Sequence, residues 1–339
     1  MGVNLSDITE GRTVRLLNFK GWTVAIDAYN AIYQFLATIR QPDGTPLSDS
    51  KGRTTSHLSG LFYRTMSIME LGIRPIYVFD GTPHQLKART LKERSEVKRK
   101  AEEEWKAALE AGDLEKARSK AQQTSRLTKD MADEARHLLD LMGVPQLTAP
   151  SEGEAQASHM VITGKADAAA SQDFDSLLFG CPKLIRNFTL TGRRKLPRKA
   201  IYVNIEPELL DLNNILSKEG LTRAQLVDIA LLVGTDFNEG VRGIGPKKAL
   251  KFIKEYGDLE GVMAAKAVAV EDHGTLRRIF LEPQVTDDFQ IRWGDMVATD
   301  IKAFLCGERD FSEGRVDAIL GKMANVRDSR AQRSLDQFF

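Results

Sequence analysis

Apolar residues fall along this chain in short β-branched runs that alternate with longer stretches of helical spacing, the pattern of a parallel α/β sheet. Residues 22–26 form one such run, ending at Asp27, and residues 74–79 form another, ending at Asp80 and followed by Gly81. Both predict buried strands with an acid at the carboxyl end. Between them, residues 28–39 and 56–69 carry apolar positions at helical spacing, joined by the turn-rich stretch 41–53. The character changes at 84–129, where Lys, Arg, Glu, Ala and Gln dominate and few apolar residues stand out beyond Leu86, Leu91, Trp105, Leu109 and Leu114. Good helix formers without a wide apolar stripe predict a protruding, mobile helical pair.

Downstream, residues 130–142 predict an amphipathic helix, 143–147 a strand, and 166–170 a short strand entering Asp173. Residues 183–190 and 195–205 predict a strand pair turning at Thr191-Gly192-Arg193. A helix over 222–233 runs into Gly234-Thr235-Asp236, and Gly243-Ile244-Gly245-Pro246-Lys247-Lys248 opens the next. Residues 258–320 read as mostly helical, and 325–339 as a polar tail ending in aromatics.

Charge balance excludes little, because Lys plus Arg number 48 against 47 for Asp plus Glu. Any nucleic-acid signal must come from distribution. Cys181 and Cys306 are too few and too far apart for a thiolate metal site or a disulfide framework. No apolar run approaches the ~18 residues of a membrane span, and the start lacks a signal-peptide pattern. These features predict a soluble, intracellular protein with no membrane partner. Met1-Gly2-Val3-Asn4-Leu5-Ser6 fits the bare N-myristoylation pattern, but without the basic patch or second lipid site that anchoring needs.

The chemistry concentrates in carboxylates. Asp27, Asp80, Glu152, Glu154, Asp173, Asp175 and Asp236 all fall at predicted strand ends or in the loops just beyond. The carboxyl edge of a parallel sheet is where distant residues converge on a ligand. One alternative is local: Ser151-Glu152-Gly153-Glu154 also fits a capping box, with Ser151 as N-cap and Glu154 at the third helical position. Asp173-Phe174-Asp175 alone is weak. Together the acids imply one shared basin of all-oxygen ligands, which selects hard cations, Mg²⁺ first and Mn²⁺ as a substitute. Two such ions suit in-line phosphodiester hydrolysis. The surplus negative charge would repel a phosphate backbone, so cations must also reach the site. Lys87 and Arg94, two helical turns apart after Asp80, fit as neighbours on one face of the first helix of the pair.

Ile26-Asp27-Ala28, Val78-Phe79-Asp80-Gly81, Pro150-Ser151-Glu152-Gly153-Glu154-Ala155, Ser171-Gln172-Asp173-Phe174-Asp175-Ser176-Leu177-Leu178-Phe179-Gly180 and Gly234-Thr235-Asp236 resemble, in order along the chain, the motifs of the structure-specific 5′ nucleases of the XPG family, specifically the flap endonucleases. The resemblance implies an α/β, PIN-like 5′-nuclease fold: a mostly parallel central sheet flanked by helices, with a protruding helical arch and a helical-hairpin DNA-binding motif. It implies an N-terminal nuclease region over 1–98, an arch over 84–130, an internal nuclease region with the hairpin over 116–258, a C-terminal helical region over 259–325 and a tail over 326–339. By similarity, Asp27, Asp80, Glu152 and Glu154 hold a first metal and Asp173, Asp175 and Asp236 a second. The family also implies that Lys87 and Arg94 assist at the scissile phosphate, that Tyr33 stacks on a base, that Arg40, Thr55 and Arg64 contact DNA, and that a 5′ flap passes through the arch.

Gly243-Ile244-Gly245 before Lys247, Lys248, Lys251 and Lys254 suits a turn that offers backbone N–H groups to phosphate, and its spacing is not that of a P-loop. In the family this motif, with Gly234 and Asp236 nearby, grips duplex DNA and binds a monovalent cation. Gln332-Arg333-Ser334-Leu335-Asp336-Gln337-Phe338-Phe339 resembles the sliding-clamp motif, in which Gln332, Leu335, Phe338 and Phe339 plug an apolar pocket. The expectation is therefore a monomeric flap endonuclease with 5′ to 3′ exonuclease activity, acting on branched DNA with a 5′ flap in Okazaki-fragment maturation and base excision repair. Its place would be the cytoplasm of an archaeal cell, or the nucleus if the chain is eukaryotic. The rivals are a non-catalytic branched-DNA adaptor tethered to the clamp and a PIN-like ribonuclease.

Overall fold

A computed structural model describes the backbone of residues 2–190, 193–195 and 202–336, and all of their side chains except those of 88–89, 91–93, 193–195, 202–203 and 325–336. The chain begins β1 (Arg12–Thr13), β2 (Thr23–Asp27), α1 (Ala28–Thr38), α2 (Ser56–Glu70), β3 (Arg74–Phe79), α3 (Ala88–Glu110), α4 (Leu114–Ala121), α5 (Lys129–Leu141) and β4 (Gln146–Thr148). It continues α6 (Gly153–Ile162), β5 (Ala168–Ala170), α7 (Asp175–Leu178), β6 (Lys183–Arg186), β7 (Arg193–Lys195), β8 (Tyr202–Asn204), β9 (Glu208–Asp211) and α8 (Leu212–Glu219). Six helices close the chain: α9 (Arg223–Val233), α10 (Pro246–Tyr256), α11 (Leu259–Lys266), α12 (His273–Leu281), α13 (Ala298–Lys302) and α14 (Glu313–Asp336).

A seven-stranded sheet has the order β1-β9-β6-β5-β2-β3-β4. Its centre is parallel, with Val24 opposite Ala168, Ile26 opposite Ala170 and Ala169 opposite Leu184. The β9 strand closes one side antiparallel to β6, and β1 pairs antiparallel with β9. A central strand covered on both faces needs a continuous apolar run, which is why Thr23–Asp27 is buried at every position. The three alanines of β5 are small enough to let α6 lie close on the sheet, where it packs against β2 and β5.

By internal contacts the chain forms two compact units. The first holds residues 1–30, 77–95 and 147–289. Its core gathers Leu177 and Leu178 of α7, Leu226, Val227 and Leu231 of α9, and Phe280 of α12. Thr222 caps α9, its hydroxyl accepting the Gln225 N–H. Buried Asp228 on α9 is held by Arg277 of α12 at 2.6 and 2.7 Å, and Arg277 also grips Glu260 of α11 at 2.6 Å. The second unit holds residues 31–76, 96–146 and 290–339, with α2 packed against α5 and α14. There the buried His57 meets Glu134 at 3.0 Å, and Arg309 pairs with the same carboxylate at 2.8 Å.

Several expectations need correction. The strand expected over 143–147 is present but begins later, as β4 at Gln146, because Val144 N–H still bonds Leu139 at 2.9 Å to finish α5. No hairpin joins 183–190 to 195–205. Buried Leu184 and Ile185 place β6 inside the main sheet between β5 and β9, while β7 pairs with β8 in a separate two-stranded sheet. The turn at Thr191-Gly192 lies outside the described residues. Residues 282–297 carry no helix; Trp293 instead donates to the Pro75 carbonyl at 3.2 Å and Gly294 to that of Gly143 at 2.9 Å. The arch segment is not bare of packing: Ala101 and Ala108 of α3 and Ala117 and Ala121 of α4 are buried, a seam of small side chains that makes no apolar stripe in sequence. Finally, the backbone of 325–336 is helical as part of α14 and includes Gln332 and Leu335; Phe338 and Phe339 lie outside the described residues.

Candidate active site

Four neighbouring strands, β5, β2, β3 and β4, each deliver acids just past their carboxyl ends. Asp27 is the last residue of β2 and is buried; its Oδ1 accepts the Asn30 backbone N–H at 2.9 Å, so that it caps the first turn of α1. Asp80 follows β3. Its Oδ1 accepts the Gly153 N–H at 2.6 Å, and so caps the start of α6 from a different strand. The β3 and β4 chains run together past their ends, with Ala149 bonding to Phe79 at 2.8 Å and Gly81 to Ser151 at 2.7 Å. Gly81 is required by this approach, since a Cβ there would lie 2.0 Å from the Ala149 oxygen.

The predicted capping box is absent. The N-cap of α6 is Glu152, not Ser151, and its side chain makes no capping bond. Because Asp80 supplies the acceptor, both glutamates are released from that duty. The Glu152 carboxylate pairs with the Lys87 ammonium, and half-buried Glu154 accepts the Ser171 hydroxyl at 2.5 Å. Past β5, Asp173 accepts the Asn30 side-chain amide at 3.2 Å. Asp175 opens α7, is 4 % exposed, and takes the Val3 N–H at 2.9 Å. The seventh acid, Asp236, sits after α9 in a turn that Asn238 organises by accepting the Thr235 hydroxyl at 2.8 Å and donating to Leu231 at 2.8 Å.

Lys87 is not on the arch helix as expected. It ends a short 3₁₀ turn, Gln85–Lys87, and α3 starts one residue later. It still converges with Arg94: the Lys87 Nζ lies 3.9 Å from Asp236 Oδ2, and the Arg94 guanidinium pairs with Asp236 Oδ1. Thr90 adds a bond from its hydroxyl to the Asp236 carbonyl at 2.8 Å.

The electrostatics describe one shared field. Burial, reinforced by Asp80, raises the Asp27 carboxyl well above the usual carboxylate range. Burial, reinforced by Asp175 and Asp173, does the same to Glu154. Asp80 is pushed up to about 6 by burial and by Glu152, and Asp175 to about 7 by burial and by Asp173 and Asp236. Burial opposes the charge on Lys87, yet Glu152, with Asp80 and Asp236 behind it, holds its ammonium above the ordinary lysine value. Among the described residues, no three acidic, histidine or cysteine side chains close on a single point at ion-binding spacing. The donor set nevertheless fits hard divalent ions, being all oxygen and short of countercharge.

The other predicted residues divide between the two units. Tyr33, Arg40, Thr55 and Arg64 belong to the second unit. Tyr33 is 38 % exposed, with the Lys98 ammonium 4.7 Å over its ring. Arg40 spends its guanidinium on the chain itself, donating to Leu36 and Gly44 carbonyls at 2.8 Å and to the Ser125 hydroxyl at 3.0 Å. Thr55 and Arg64 are buried. In the first unit, Gly243 holds φ +82° and Gly245 caps α10 ahead of Pro246. No atom lies within 4 Å of a Cβ built on either glycine, so their backbone is open to close approach. Lys247 is exposed, and Lys248 donates to the Gly243 carbonyl at 2.9 Å.

Sequence reasoning missed Asn30, Ser171, Asn238 and the N-terminal Gly2-Val3. Asn30 had a signal, a polar residue three positions past a strand-end acid. Gly2 had none: a Cβ there would lie 2.5 Å from Asp175 Oδ1, a contact between segments far apart in the sequence.

Two family models match the chain, the XPG N-terminal domain over residues 1–101 and the XPG I-region over 143–236. Flap endonuclease 1 of Pyrococcus furiosus is 49 % identical over 340 residues, covering 100 % of this chain and 99 % of that one. The solved flap endonuclease-1 of Methanococcus jannaschii superposes with TM-score 0.77 at 40 % identity, covering 97 % of this chain and 100 % of that chain. The catalytic core of Rad2, solved in complex with DNA substrate, superposes with TM-score 0.69 at 25 % identity over 91 % of this chain and 95 % of that chain. With its acids following four adjacent strands and this likeness running end to end, the chain belongs to the flap endonuclease family of XPG-type nucleases.

Proposed function

We propose that this flap endonuclease hydrolyses DNA phosphodiesters with two divalent ions, Mg²⁺ in the resident role and Mn²⁺ as a substitute. Asp27, Asp80, Glu152 and Glu154 would hold one ion, and Asp173, Asp175 and Asp236 the other. When bound, the ions supply an activated water and charge neutralisation at the scissile phosphate. The observation that carries this reading is a convergence of seven acids, four with carboxyls raised by burial and mutual repulsion, against two chain cations.

The remaining work falls to the chain's own residues. Lys87 and Arg94 stand at the acids, positioned to exchange those partners for phosphate oxygens and to orient the scissile bond. Asn30 and Ser171 hold Asp27, Asp173 and Glu154 in place. Tyr33 offers a ring face to a base, and Arg40 and Thr55 from the connection between α1 and α2, with Arg64 from α2, contact DNA. Gly243, Gly245, Lys247 and Lys248 present backbone N–H groups and charge to duplex phosphates, with Gly234 and Asp236 also on the DNA and a monovalent cation at the same turn. The segment 84–130 serves as the arch for a single-stranded 5′ end, and Gln332, Leu335, Phe338 and Phe339 as the sliding-clamp plug. The enzyme acts as a monomer, with 5′ to 3′ exonuclease activity as well, in Okazaki-fragment maturation and base excision repair in the cytoplasm of an archaeal-type cell. No helix among the described residues is long and apolar enough to cross a membrane.

The test is cleavage of an end-labelled double-flap duplex with and without Mg²⁺, comparing parent, Asp80→Ala and Asp175→Ala. Loss of cutting with retained DNA binding is expected for both variants. Turnover by either at saturating Mg²⁺ would refute its assignment, and equal cutting of an RNA flap would move the enzyme to the ribonuclease class.

A further inference from the structure

In the second unit, the loop after α1 is locked into the helical pair α3–α4. The turn at 41–45 is closed by Gln41 N–H to Thr45 at 2.8 Å and by Thr45 to the Asp43 carboxylate at 2.8 Å. At its tip the half-buried Trp105 of α3 donates its indole N–H to the Asp43 carbonyl at 3.2 Å. Gly44, at φ +89°, leaves no room for a side chain: a Cβ would lie 2.6 Å from that of Ala121 on α4 and 3.3 Å from Trp105 Nε1. Arg40 closes the back of the turn, bonding both the Gly44 carbonyl and Ser125 just past α4. A second tie lies along α3, where Lys98 covers the Tyr33 ring.

We propose that Trp105 is a specificity-determining residue: by fastening α3 and α4 to the Gly44 turn it fixes the aperture a DNA 5′ end must pass, and so excludes ends that are not single-stranded. This deepens the reading of 84–130 as an arch and rests on it. Trp105 touches no reacting atom, so it acts by position. Both helices are tied to one turn, so the aperture width depends on how the indole and its hydrogen bond seat α3 against the tip of that turn, alongside the Arg40 and Lys98 ties. Losing the indole leaves a cavity next to a glycine, a site unable to re-form the tie with another side chain.

The experiment is single-turnover cleavage of two substrates at saturating enzyme: a free single-stranded 5′ flap, and the same flap annealed to a complementary strand. For Trp105→Ala, cleavage of the free flap should stay within about threefold of the parent while the free-to-duplexed ratio falls at least tenfold. Gly44→Val strains the same contact from the turn and should reproduce this. Trp105→Phe keeps a ring but loses the donor and should fall between. A ratio unchanged in both Trp105→Ala and Gly44→Val overturns the proposal, as does a parallel loss on both substrates, which marks a merely structural role. If the parent itself cuts both flaps equally, the arch reading fails instead, independently of Trp105.

Discussion

Asp175→Asn should make the metal-free protein more stable while destroying its activity. In the parent, burial and the neighbouring Asp173 and Asp236 push the Asp175 carboxyl from 3.8 to about 7. The folded state therefore keeps a proton between pH ~4 and ~7 that the unfolded chain has released. Stability from this group falls as pH rises through that window and is constant above it. At about 1.4 kcal/mol per pH unit, ionising Asp175 costs the fold on the order of 4 kcal/mol. The amide is isosteric and its Oδ1 still accepts the Val3 N–H, so the substitution removes charge and little else. Urea unfolding in EDTA, run for parent and variant from pH 4 to 8, reads the difference between them, which cancels the titrating groups that do not interact with Asp175 and leaves Asp175 with its coupled neighbours. The two proteins should be nearly equal at pH 4 and diverge to about 2–4 kcal/mol by pH 8, the variant being the more stable. Saturating Mg²⁺ should then close the gap, because a ligand that binds only the folded parent stabilises it by about 2.7 kcal/mol at a hundred times its Kd. A difference independent of pH, or a variant weaker than the parent at pH 8 in EDTA, would show that the cluster carries no repulsive cost and would undo the electrostatic argument for ion binding.

Asn30→Ala should lower single-turnover cleavage about tenfold or more, with DNA affinity unchanged in a binding titration, because Asp173 loses the side-chain amide that holds it while the backbone N–H accepted by Asp27 is kept. Gly81→Ala should destabilise the protein by about 3 kcal/mol or more in a urea melt, since the Cβ has nowhere to go but into the Ala149 carbonyl. Gly2→Val should depress cutting with little change in melting temperature, the added atoms landing on the Asp175 carboxylate; full activity would place the N-terminus clear of the site in solution. Phe338→Ala with Phe339→Ala should leave basal flap cleavage intact and abolish only its stimulation by a sliding clamp.

How much of this was legible follows from the range of the interactions. The strand-end acids could be read directly: a buried parallel strand must be an unbroken apolar run, so an Asp closing residues 22–26 or 74–79 marks its own position at the sheet edge. The amphipathic helices α2 and α5 and the Thr222 cap are likewise local, written in spacing of 3.6 residues and in one side chain. Convergence was legible only as an argument from number; that Asp80 caps α6, and thereby frees Glu152 to meet Lys87, depends on a strand some seventy residues away lying alongside. Partner choice for β6 escaped the sequence because a four-residue strand with only Leu184 and Ile185 apolar between Lys183 and Arg186 suits either a hairpin or a central strand, and only the burial offered by β5 and β9 decides between them. The arch helices hid their packing for a related reason: alanines give no apolar stripe in the sequence, and their packing exists only once α3, α4 and the Gly44 turn are brought together. Chemistry that needs residue type alone is carried in the chain, whereas contact between distant segments is settled by the fold, where a few tenths of an ångström at Gly2, Gly44 or Gly81 set what can approach.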